Sequence, residues 1–119
     1  MANDFIRICT PNVSNSGNST IYAVPAGASS AALESIVIGI TAANKTSSGV
    51  TVDIFIDNED GSNDVYIVKG ASIPAGASLE VMAGNKLVLQ NDGSNGDNLE
   101  ALASAGSAVD ITVSVLEDV

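Results

Sequence analysis

The chain has no histidine, no tryptophan, one cysteine and only four basic residues among 119. Each shortage excludes something. Without histidine, and with the single thiol of Cys9, neither a His-activated nucleophile nor a His/Cys metal set can be assembled. A lone cysteine also rules out an intramolecular disulfide, and Cys9 is expected to be a small buried apolar residue. Arg7, Lys45, Lys69 and Lys86 stand against 14 acidic residues, for a net charge of −10. Nucleic acid and anionic membrane are therefore excluded as direct partners, because phosphate binding depends on Lys and Arg displacing counterions. No apolar run approaches the length of a membrane span. Met1-Ala2-Asn3-Asp4 has neither the basic nor the apolar region of a signal peptide, so synthesis and folding in a cytoplasm are expected. No phosphate-cradling glycine motif is present, and no cofactor is expected.

Aromatic residues make up only 3% of a chain that is 45% hydrophobic. The core must then be built from Val, Ile, Leu and Ala, each burying less surface than a ring at roughly 25 cal/mol per Å². These residues fall in a strand pattern. Val50, Val52, Ile54 and Ile56 alternate with polar neighbours, as do Val109, Ile111, Val113 and Val115, and both runs read as half-buried strands. Residues 35–41 place Ile36, Ile38 and Ile40 on one face with Val37 on the other, a strand covered on both sides. Shorter candidates are residues 5–9, 20–24, 65–69, 79–82, 86–90 and 99–103. Residues 31–35 and 99–105 each have room for a single helical turn. About eight or nine short strands separated by polar turns predict an all-β, single-domain antiparallel β-sandwich of jelly-roll type. Residues 1–18 read as an N-terminal arm, one short strand and a flexible linker, ahead of a sandwich domain spanning 19–119. Such an arm can pair in its own sheet or reach a neighbouring subunit.

One segment is spelled twice: Val24-Pro25-Ala26-Gly27-Ala28-Ser29 and Ile73-Pro74-Ala75-Gly76-Ala77-Ser78. Extending the alignment beyond it breaks the core pattern, so it reads as one turn solution used at two corners rather than a duplication. Asn12, Asn18 and Asn44 begin glycosylation-type triplets, which read as loop residues in the absence of a secretory signal.

The candidate sites are few. Asp57, Asp60 and Asp64 in one acidic loop, with Asp92 and Asp97 in another, are weak Ca²⁺ candidates whose plainer reading is two solvated turns. An EF-hand is excluded, since Gly61 would put Ile56 at the first ligand position. Glu80 and Glu100 both alternate with core residues and so point away from the core, which gives no support to a glycosidase pair. With no base, nucleophile or oxyanion donors, the protein is not expected to be an enzyme. Phe55 falls on the polar face of its strand beside Thr51 and Asp53. With Phe5, Tyr22, Tyr66 and Leu116 it forms the set of candidate interface residues, as exposed apolar groups on an acidic surface.

Taken in order, Met1-Ala2-Asn3-Asp4-Phe5, Ile21-Tyr22-Ala23-Val24-Pro25-Ala26-Gly27, Val50-Thr51-Val52-Asp53, Ile73-Pro74-Ala75-Gly76-Ala77-Ser78-Leu79, Leu89, Gly96-Asp97-Asn98-Leu99 and Val113-Ser114-Val115-Leu116-Glu117 resemble the small β-sandwich virion structural proteins of tailed bacteriophages, particularly marine phages and cyanophages. The residues from Asp92 to Gly96 stand as an extension ahead of Asp97. The resemblance implies a location in the virion and a role as a capsid decoration (cement) protein that bridges subunits of the major capsid protein. It also implies a homo-oligomer, with a trimer suggested by threefold positions on the shell. A tail or neck protein, as a ring or fibre anchor, is the alternative. A host-surface or glycan-binding module on the virion is a second.

Overall fold

A computed structural model describes residues 3–57, 64–82 and 86–118. Among them lie nine strands: β1 (Asn3–Thr10), β2 (Ser19–Ala23), β3 (Leu33–Asn44), β4 (Val50–Asp57), β5 (Asp64–Ile73), β6 (Ser78–Glu80), β7 (Leu87–Asn91), β8 (Asn98–Ala103) and β9 (Val109–Asp118). The first sheet has the order β1-β9-β3, with its fourth place shared by β6 and β7. These two pair antiparallel with opposite ends of β3, β6 with Thr41–Ala43 and β7 with Leu33–Val37. The second sheet has the order β2-β8-β4-β5. Counting β6 and β7 as one interrupted strand, the two sheets have the two-Greek-key strand order of a jelly roll, with the chain changing sheet at every connection but the β4–β5 hairpin.

The expected strand alternation explains the core. Val50, Val52 and Ile54 of β4 in the second sheet and Val109, Ile111, Val113 and Val115 of β9 in the first are all buried. The largest fully buried side chains are Ile21, Ile40, Ile54, Ile73, Leu89, Leu99 and Ile111, an aliphatic set without a single ring. Burying one such side chain is worth about 1.5–3 kcal/mol. Strand β3 departs from simple alternation because its register with β9 shifts between Val37 and Gly39. This bulge turns Ile40 inward together with Val37, both fully buried, and leaves Ile38 outside at 41% exposure. Ile36, Ile38 and Ile40 therefore do not share a face, and β3 is not covered on both sides.

Three further expectations are corrected. Residues 33–35 and 99–103 are strand, and the one short helical piece among the described residues is a 3-10 turn at Ala28–Ser30. Cys9 is exposed, because on β1 it alternates with the inward-leaning Ile8 and Thr10. The linker is anchored: Val13 is fully buried, its N–H donates to the carbonyl of Val109, and the carbonyl of Ser14 accepts from Ala103. Strand β1 itself pairs with β9 of the same chain along its whole length.

The doubled segment makes the same topological move twice, from the second sheet to the first, between β2 and β3 and again between β5 and β6. Its conformation differs. Gly76 has φ of +70° and the Ala77 N–H donates to the Pro74 carbonyl, as in a type II turn. Gly27 is extended, with φ of −72°, and the left-handed residues are Ser29 and Ser30 instead. The partner of the first corner is the loop after β7. Asn91 Nδ2 donates to the Val24 carbonyl at 2.8 Å. Gly93, at φ of +100°, lies so close to the Ser30 carbonyl that a Cβ there would sit 2.1 Å from its oxygen. The extension from Asp92 to Gly96 thus serves as packing for this corner.

Candidate docking surface

No group of three or more His, Cys, Asp or Glu side chains gathers among the described residues in a way that would hold an ion. Asp57 and Asp64 are opposite each other where β4 and β5 meet, and Asp60 lies outside the described residues. The other two carboxylates organise their own loop. Asp92 Oδ1 accepts from the N–H groups of Ser94 and Asn95, and Asp97 Oδ2 accepts from that of Gln90. Glu80 belongs to the first sheet and Glu100 to the second, where it accepts from the Thr20 hydroxyl at 2.7 Å. Their side chains leave opposite faces of the sandwich.

The five candidate interface residues divide into three groups. Tyr22 is buried, at 6% exposure. A register shift between Thr20 and Tyr22 turns its ring inward beside Ile21, where its hydroxyl bridges the two sheets. That hydroxyl donates to Glu117 Oε2 at 2.5 Å and accepts from the Ser35 hydroxyl at 2.8 Å. Ser35 and Glu117 are register partners on β3 and β9. Burial, followed by the bond to the Glu117 carboxylate, pushes the phenol well above its ordinary value of 10.0.

Phe55 and Tyr66 form the second group, on the outer face of the second sheet. Phe55 does lie on the polar face of β4, but it is only 3% exposed, because Tyr66 covers it from β5. Their ring centroids are 5.0 Å apart with planes tilted by 39°. The Lys69 ammonium sits 4.6 Å from the Tyr66 centroid and 3.4 Å from Asp53 Oδ2. Asp53, then Tyr66, raise the Lys69 pKa. Tyr66 itself remains 44% exposed.

Phe5 and Leu116 form the third group, and here residues that were not singled out from sequence complete the surface. Phe5 is the register partner of Leu116, Leu116 of Ile36, and Ile36 of Val88. These four side chains cross all four strand positions of the first sheet in one row on its outer face. Phe5 is 78% exposed and Val88 56%, with Ile38 beside the row. Ile36 and Val88 escaped notice because each sits in a run read as core, and only the pairing register puts them next to Phe5. Arg7 lies beyond Phe5 on the same face, and Glu34 lies before Ile36; both are exposed. At the end of the sandwich, Pro25, Ala26, Gly27, Ala28, Ala31, Ala32 and Leu33 line an apolar surface cavity of about 440 Å³.

No family model matches the chain, and no curated protein matches it in sequence. Among solved structures, it is similar to a chain from the structure of the infectious bursal disease virus Gx strain, with 15% identity and a TM-score of 0.45. The match covers 96% of this chain and 29% of that one, so the protein spans under a third of that chain's length.

Proposed function

We propose that the protein is a virion structural subunit of a tailed bacteriophage, acting as a capsid decoration (cement) protein without catalytic activity. The observation that carries this reading is the row Phe5–Leu116–Ile36–Val88, an apolar band exposed at both ends among the described residues of an acidic jelly roll. Such a band is stable in water only at a cost that contact with another protein removes. The ordered likeness to phage virion proteins supplies the setting. In that setting the subunit sits on the outer shell, self-associates and bridges neighbouring major capsid subunits. Many modest contacts then add through multivalency to resist internal pressure, with no contact to DNA. The acidic surface suits the solvent side of a particle and docking onto basic protein.

The glycan-binding alternative loses support from the burial of Tyr22 and Phe55. Phe5 and Tyr66 remain as exposed rings, but on different sheets, so no two of them make a stacking platform. Quantitative mass spectrometry of purified virions tests the proposal. Hundreds of copies per particle are expected; six or twelve would place the protein in the neck or tail and overturn decoration.

A further inference from the structure

We infer that the outer face of the first sheet is a self-complementary surface on which a second copy of this chain docks through a two-fold axis passing over Leu116. This inference deepens the self-association within the proposed role and rests on that part of the reading.

Strand register sets the geometry of this face. Phe5, Leu116 and Ile36 are consecutive partners across β1, β9 and β3. Strands β1 and β3 are both antiparallel to β9, so they run in the same direction. Arg7, two residues after Phe5, therefore lies on one side of the row, and Glu34, two residues before Ile36, lies on the other. Each is one strand away from Leu116, in opposite directions. The two charges are related through Leu116 as a point of near symmetry.

A two-fold interface is isologous: if one residue of the first copy meets another of the second, the reverse contact forms as well. A two-fold axis lying in the interface over Leu116, perpendicular to the line from Arg7 to Glu34, places Arg7 of each copy against Glu34 of the other and Leu116 against Leu116, so that the apolar rows of the two copies cross there. Neither Arg7 nor Glu34 has an ion pair within the chain among the described residues. The chain carries −10, so two copies repel at long range, and a face-to-face contact needs local complementarity of this kind to form. The two-fold arrangement replaces the threefold one that the family resemblance implies.

Four strands at about 4.8 Å spacing span ~19 Å. With a strip ~14 Å tall between the two charges, the contact is smaller than the ~800 Å² per partner of tight complexes, so it is weak in free solution. It gains strength when copies are concentrated on a particle.

The test is sedimentation velocity of the purified chain from roughly 1 to 500 µM, a range suited to a weak dimer. The wild type is expected to shift reversibly from monomer to dimer. R7E and E34R each juxtapose like charges twice, and each should weaken dimerisation at least tenfold, while thermal melts confirm that these exposed substitutions leave folding intact. An equimolar mixture of the two variants restores both complementary contacts and is expected to form a heterodimer at wild-type concentrations. A wild type that stays monomeric, or forms trimers, overturns the inference. So does dimerisation unaffected by either substitution, or a mixture no tighter than the single variants. Any of these outcomes leaves the copy number on virions, and with it the decoration role, to be decided separately.

Discussion

The two outer faces of the sandwich treat their phenylalanines in opposite ways. On the second sheet, Phe55 is roofed by Tyr66, and Tyr66 in turn carries the Lys69 ammonium, which is paired with Asp53. On the first sheet, Phe5 continues into Leu116, Ile36 and Val88, and among the described residues Phe5 and Val88 stay exposed at 78% and 56%. The difference separates an apolar group that serves the stability of the subunit from one available to the proposed contacts. A ring on a nominally polar face is not a docking residue if the adjacent edge strand supplies a cover. A ring on a face whose neighbours are apolar across every strand has no cover except another molecule.

Removing each ring should give the widest contrast between the two faces. Phe55→Ala empties a buried site and should lower unfolding free energy by about 3–5 kcal/mol in denaturant titrations. Phe5→Ser should change it by no more than ~0.5 kcal/mol, as for other exposed positions, while abolishing self-association. Equal stability losses for the two would erase the distinction between the faces.

Next comes the link that holds the two sheets together. Tyr22→Phe leaves the fully buried Ser35 hydroxyl without its acceptor and removes the donor to Glu117. A loss of about 1–3 kcal/mol is expected, with the outer faces otherwise unaltered. The same group gives an alkaline signature. Its folded-state pKa is raised above 10.0. The unfolded phenol therefore releases its proton first, and stability that is fully present below pH 10.0 is lost as pH rises beyond it. Tyr22→Phe should flatten that decline in pH-dependent melts, and an unchanged decline would assign it to other groups.

The smallest effect concerns the ion pair of the first face. Lys45 and the Asn12 N–H hold the Asp110 carboxyl below its ordinary value of 3.8. The folded state thus gains stability above pH 3.8 that is lost as pH falls through the lowered value. Both partners are substantially exposed, with Lys45 Nζ 2.9 Å from Asp110 Oδ1, so Asp110→Asn should cost less than about 1 kcal/mol at neutral pH. That cost should vanish in acid.

Much of the fold was legible because aliphatic alternation and polar turns are local signals. All nine strand candidates correspond to strands, and β4 spans Val50–Asp57 as its alternation indicates. What was hidden depends on register and on partners distant in sequence. The bulge in β3 separates Ile36 and Ile38 from Ile40, and the shift in β2 buries Tyr22, yet neither irregularity has a local spelling. The doubled segment shows the same limit. Identical residues adopt different turns because Asn91 and Gly93 pack against one copy and not the other. The docking row is the plainest instance. Phe5 and Leu116 stood out as apolar groups on an acidic surface, but Ile36 and Val88 joined them only through three successive pairings. The charge pair Arg7 and Glu34 came into view the same way.

On the proposed reading, the outer face of the first sheet, and not that of the second, meets another protein molecule. Nuclear magnetic resonance of the isotope-labelled chain over a concentration series tests it most directly. The expected result is concentration-dependent shifts confined to Phe5, Arg7, Glu34, Ile36, Ile38, Val88 and Leu116, with Phe55, Tyr66 and Lys69 unchanged. Shifts centred on Tyr66, or none at millimolar protein, would contradict it.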